Sequence, residues 1–128
     1  MARQPFLLVA LDGVLCYDVA MEKHAPADDP VLQRFKVALQ GIYGNQIDRV
    51  VLFGSRARGE ARPDSDYDIA VFLKELPDAW KERFRLAGLR VDFLDETGAF
   101  IDAKPYPATA YRDRTPLMHE IRRDGLDL

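Results

Sequence analysis

Only one cysteine, Cys16, occurs among the 128 residues. This excludes an internal disulfide and a cysteine-built zinc cluster, and it suits a reducing, cytoplasmic compartment. A basic surplus is also missing: 18 Lys and Arg stand against 21 Asp and Glu, a net charge of -3. Direct nucleic-acid binding through a basic face is therefore not expected. The longest apolar run, FLLVALDGVLCY at residues 6–17, carries Asp12 at its centre. It falls well short of the roughly 20 residues that span a bilayer, so no membrane partner is expected. Internal repeats and low-complexity linkers are absent as well. What is there reads as one globular domain, 48% hydrophobic and 30% charged. That length accommodates a real core but not a second, substrate-binding domain, so a large substrate comes from outside the chain.

Residues 1–28 read as an N-terminal extension and residues 29–128 as the domain proper. One basic residue, Arg3, precedes the first apolar run, but no clean small-x-small cleavage site follows it, so a secretory signal is not expected. The LDGVL segment resembles the DxDG opening of haloacid-dehalogenase-like phosphatases, yet Ala10 stands where the nucleophile belongs. The change to polar MEKHAPADDP suggests either an extra strand in residues 1–20 or translation from a start at Met21.

From Asp29 the pattern is regular. Asp29 as N-cap and Pro30 at the first helical position open a helix with Leu32, Phe35, Leu39 and Ile42 at helical spacing, closed by Gly44. RVVLF, bounded by Gly54, reads as a buried strand. SDYDIAVFLK alternates, which puts Asp66, Asp68 and Ala70 on one face. From Pro77 to Gly98, Trp80, Phe84, Ala87, Val91 and Leu94 recur at steps of four and three, predicting one long helix with that stripe in the core. Gly88 inside it costs about 1 kcal/mol. AFIDAKPY follows as a third strand, with Phe100, Asp102 and Lys104 on one face. TPLMHEIRRDG closes the chain as a helix capped by Thr115 and Pro116 and stopped by Gly125. The fold class is α/β, a small sheet layered with helices.

The chemistry concentrates in GSRARGEARPDSDYDIAV, residues 54–71. Two aspartates at i and i+2 on one strand face hold like charges a few ångströms apart, a conflict that a divalent cation removes. All-oxygen ligands suit Mg²⁺ or Mn²⁺ rather than zinc. Gly54 and Ser55 end one strand and start a short helix, whose free backbone N–H groups can face an anion. Ser55 adds a hydroxyl and Arg58 a guanidinium fork suited to phosphate. A phosphate cradle beside a carboxylate pair fits phosphoryl or nucleotidyl transfer.

Gly54-Ser55, ten residues and then Asp66-Tyr67-Asp68 resemble the signature of the polymerase-β-like nucleotidyltransferase superfamily, and the short chain resembles its minimal nucleotidyltransferases. The resemblance covers about residues 29–128 and implies a mixed sheet flanked by helices. It also implies that Asp66 and Asp68 bind the metals that grip ATP, while Gly54, Ser55, Arg58 and Ser65 hold the nucleotide. The family's third carboxylate, metal ligand and helper of the attacking hydroxyl, falls on Asp102, with Asp92 in its RVDF context as the alternative. The resemblance further implies transfer of AMP to a tyrosine of a HEPN-type RNase toxin, with the chain acting as antitoxin in a hetero-oligomer. Neutralisation of the partner by contact alone, or transfer to a small molecule, are the alternatives.

Other polar and aromatic residues have plainer readings. Arg56 and Arg62 divide between loop structure and substrate contact. Asp92 and Asp95 read as the polar face of the long helix, Trp80, Phe84 and Phe35 as core, and His119 as surface.

Overall fold

The computed structural model describes residues 28–128; the expectations for Cys16, His24 and the 6–17 run lie outside the described residues. Helix α1, Pro30–Tyr43, begins where Asp29 accepts hydrogen bonds from the N–H groups of Val31 and Leu32. A 3-10 turn over Gly44–Gln46 leads into β1, Ile47–Phe53. Helix α2, Ser55–Arg58, is one turn long and stops at Gly59 in the left-handed conformation. Strand β2 is Tyr67–Leu73, α3 is Ala79–Thr97 with Asp78 as N-cap, and β3 is Ile101–Pro107. After a 3-10 turn at Ala108–Arg112, α4 spans Pro116–Asp124 from its Thr115 cap, and β4 is Leu126–Asp127. Thus the 77–98 segment holds one helix, Ala79–Thr97, and Asp92 lies on it rather than on a strand.

The sheet order is β3-β2-β1-β4. β1 pairs antiparallel with β2 and β4, and β2 pairs parallel with β3, so the sheet is mixed. The parallel pair requires a crossover, and the long α3 supplies it. On one face α1 (Leu32, Phe35, Leu39) and α3 (Leu86, Phe93) cover Val50, Leu52, Ile69, Val71 and Ile101. On the other, Met118 and Ile121 of α4 with Ala110 cover Val51, Ala70 and Phe72. Gly125 lets the chain turn from α4 back to β1: a Cβ there would stand 2.4 Å from a Val51 methyl and 2.3 Å from the Ile121 carbonyl oxygen. Both edges are blunt. β4 has two residues, and the outer strand β3 carries Pro105 and Pro107. Because the Phe100 carbonyl accepts from Tyr67 N–H, even-numbered residues of β3 bond to β2 and both prolines point outward.

One core assignment needs correction. Phe35 is fully buried, but Trp80 and Phe84 are 73% and 75% exposed, and Val91 55%. Helix α3 packs through Leu86, Leu89 and Phe93 instead. At about 100° per residue the two stripes are separated by roughly 140° on the helix. The sequence therefore offers two apolar faces with the same periodicity, and the sheet takes the one made of Leu and Phe.

Candidate active site

The register of the sheet brings the site together. Asp68 is paired with Phe53 of β1 on one side and with Asp102 of β3 on the other. Register partners project to the same face, so the Asp68 and Asp102 side chains are neighbours one strand spacing apart, about 4.8 Å between backbones. This is the face that α4 covers at Ala70 and Phe72 while leaving the start of the strands open. Asp66 lies just ahead of β2, exposed. Asp92, on α3, lines a cleft between α1 and α3 with Arg34, Val37 and Leu89, against the opposite layer of the sheet. Of the two alternatives, it is Asp102 that meets the aspartate pair.

Phe53 is followed at once by Gly54, whose φ is +76°. A Cβ there would lie 2.3 Å from Asp68 Oδ2, so the carboxylate rests against the glycine and no larger residue fits. The Gly54 carbonyl accepts from the N–H groups of Ala57 and Arg58, which closes the turn and leaves Ser55 at the head of α2 beside Asp68.

Burial is the largest influence on the Asp68 carboxyl and raises its pKa; the negative charges of Asp102, Asp66 and Glu120 push the same way, against Lys104. Lys104 Nζ sits 3.8 Å from Asp102 Oδ2. Glu120, from α4, carries no local signal in the sequence, yet it adds a fourth carboxylate near Asp68. It also pairs with Arg58 at 3.4 Å, while Glu60 accepts from Arg58 Nε at 2.9 Å. Among the described residues no three His, Cys, Asp or Glu side chains are drawn together as a finished metal cage. Carboxylates without a counter-ion repel, and Asp66, Asp68 and Asp102 put hard oxygen donors and surplus negative charge at one end of the strands, the donor type that Mg²⁺ or Mn²⁺ takes.

The arginines divide cleanly. Arg56 stacks over the Tyr67 ring at 3.9 Å and donates from Nε and Nη2 to the Ser65 carbonyl at 3.1 and 2.8 Å, with a further bond to the Pro63 carbonyl at 3.3 Å. It holds the loop that delivers Asp66. Ser65 is part of the same brace, its hydroxyl accepting from Arg62 N–H at 2.8 Å. Tyr67, between the aspartates, is buried and donates to Asp29 Oδ2 at 2.9 Å, linking the α1 cap to β2. Arg58 alone of the three stands exposed beside the acidic cluster.

A mixed sheet with a glycine-serine turn against neighbouring strand aspartates is the architecture of a nucleotidyltransferase. Residues 39–105 match the family described as "Polymerase beta, Nucleotidyltransferase", and the chain belongs to that family. It is 40% identical over 98 residues to a protein of Methanocaldococcus jannaschii named provisionally as a protein adenylyltransferase, covering 77% of this chain and 95% of the relative. It is 38% identical over 72 residues to the protein adenylyltransferase MntA of Thermococcus cleftensis, covering 52% and 71%. In fold it is similar to a crystal structure of a mutant of the toxin-antitoxin MntA-HpeT, with a TM-score of 0.52 at 21% identity over 75% of this chain and 70% of that one. A nucleotidyltransferase structure from Sulfolobus solfataricus gives 0.51 at 19% identity over 84% and 90%. Among the described residues no helix is long and apolar enough to cross a membrane.

Proposed function

We propose that the protein transfers AMP from ATP to a tyrosine hydroxyl of a partner protein, a HEPN-type RNase toxin, and so acts as its antitoxin in a hetero-oligomer. The observation that carries this reading is the Asp68–Asp102 pairing with Gly54 and Ser55 at its mouth. The two relatives named as protein adenylyltransferases support a protein as acceptor.

In the reaction the acceptor oxygen attacks the α-phosphorus of ATP, the bond to the bridging oxygen of the β-phosphate breaks, and pyrophosphate leaves. Asp66, Asp68 and Asp102 would hold Mg²⁺ or Mn²⁺, which when bound supplies charge neutralisation for the triphosphate and the leaving group. Asp102, at the open edge strand, accepts the proton of the incoming hydroxyl. Ser55 and the backbone at the head of α2 orient the phosphates, and Arg58 exchanges a carboxylate partner for phosphate. The Asp102 and Lys104 pair is half-exposed, which leaves room for an acceptor presented by another protein.

The test is to incubate the protein, ATP and Mg²⁺ with a HEPN-type protein, taken from the neighbouring gene where one is encoded there, and to measure the partner's mass. A gain of one AMP, lost in Asp68→Asn, is the expected result. No gain with ATP or any other nucleoside triphosphate would refute the reading. Equal neutralisation by wild type and Asp66→Asn would replace it with neutralisation by contact.

A further inference from the structure

The outward stripe of α3 is the largest feature that the catalytic reading leaves unused. Trp80, Phe84, Ala87, Val91 and Leu94 all face solvent, and the two aromatics are about three-quarters exposed. Aromatic side chains carry roughly 150–250 Å² each, so these two alone present on the order of 300 Å² of contiguous surface. A patch of that size is on the scale of the largest apolar patch of a typical monomer, which often serves a function.

We infer that this stripe is the seat of the acceptor protein, which binds through an amphipathic helix whose apolar face carries acidic residues along the border that meets Arg83 and Arg90. The inference rests on the proposed protein acceptor. Two observations select this occupant. First, the stripe's borders are charged. Arg83 and Arg90 lie along one border, seven residues and about 10 Å apart, and among the described residues neither is in a salt bridge. A partner with carboxylates at matching spacing would pair with both. A second copy of this chain would not: a two-fold antiparallel pairing of α3 sets each border against itself, which places Arg83 and Arg90 opposite their own counterparts. Second, the stripe ends close to the β3 edge. Leu94, at its C-terminal end, is followed by Phe100, 43% exposed and two residues before Asp102 on the edge strand. Helix α3 covers the face opposite Asp102, so a protein seated on the stripe reaches that carboxylate by passing round the β3 edge.

The test is binding of the same HEPN-type protein to the full chain without nucleotide, measured by titration calorimetry. Trp80→Ser and Phe84→Ser should each weaken binding by about thirtyfold, the effect of removing a central aromatic anchor. Both side chains are exposed, so unchanged circular dichroism and melting temperature check that the fold is kept. Arg83→Glu with Arg90→Glu should weaken binding at low salt and flatten its salt dependence. Val37→Ser, at an exposed apolar residue of α1 outside the stripe, should leave the affinity unchanged. Wild-type affinity in the serine variants overturns the inference, as does a wild type that does not bind the partner at all. A homodimer in sedimentation that Phe84→Ser dissolves also overturns it, in favour of self-association. A partner that binds through the stripe yet is never modified leaves the inference standing and removes the proposed activity; a partner modified normally by the serine variants does the reverse.

Discussion

Gly54 and Asp68 occupy each other's space: the carboxylate oxygen lies where a Cβ on residue 54 would be, 2.3 Å away. The glycine of the turn and the second aspartate are thus one structural unit joined through the β1–β2 register. Gly54→Ala should push Asp68 out of line with Asp102. Transfer should fall by about a hundredfold or more, the scale of an ångström-sized misplacement, while circular dichroism shows a folded protein. A rate close to wild type would mean that the Asp68 position is not critical.

Asp102 and Asp92 stand on opposite layers, so their amide variants should behave oppositely. Asp102→Asn should lower the transfer rate by at least about a hundredfold, as expected for loss of a proton acceptor, whereas Asp92→Asn should keep it. Steady-state rates of AMP transfer decide the matter.

Arg56 and Arg58 are two residues apart and should separate stability from binding. Arg56→Ala removes the brace to Ser65 and Pro63 and the stacking on Tyr67. A loss of about 2 kcal/mol in chemical denaturation is expected. Arg58→Ala should denature like wild type but bind ATP tenfold or more weakly.

Crowding of carboxylates at Asp68 has a thermal signature. Its pKa is raised in the folded state, so ionised Asp68 costs stability at neutral pH and protonation removes that cost as pH falls through the raised value. In EDTA at pH 7, Asp68→Asn should melt above wild type, and the gap should close towards pH 4. Millimolar Mg²⁺ should raise the wild-type melting temperature by a few degrees and leave the variant unmoved.

Tyr67 gives the alkaline counterpart. Burial, then the hydrogen bond to Asp29, push its hydroxyl up to about 12. The neutral hydroxyl is the stabilising form, so its contribution is complete below pH 10 and is lost as pH rises to about 12. Tyr67→Phe should be less stable by about 1 kcal/mol at pH 8, and urea midpoints should show that deficit shrinking above pH 10.

Much of this was legible in the sequence because the signals are local. The caps at Asp29 and Thr115, the alternation in β2 and the turn glycines act within a few residues, and the helices and strands follow them. The Gly54, Asp66 and Asp68 grouping was visible as spacing. Reading AFIDAKPY as a strand made Asp102 a candidate beside Asp92, but its pairing with Asp68 is a matter of sheet register and was not legible. What was hidden depends on distant partners. Nothing near Trp80 distinguishes an apolar stripe that meets a sheet from one that meets solvent, and nothing near Glu120 tells that α4 will lean it towards Asp68. The role of Arg56 was undecidable for the same reason, since its partners are carbonyl groups that any sequence supplies.

The two outward prolines of β3 and the brevity of β4 govern how this protein can fail. A sheet with an open edge invites further strands, from its own copies above all, and grows into aggregates. Here one edge loses two of its outward donors to prolines and the other lacks the length. Both devices discourage another strand from zipping on, which favours recruitment through side chains such as those of the exposed α3 stripe.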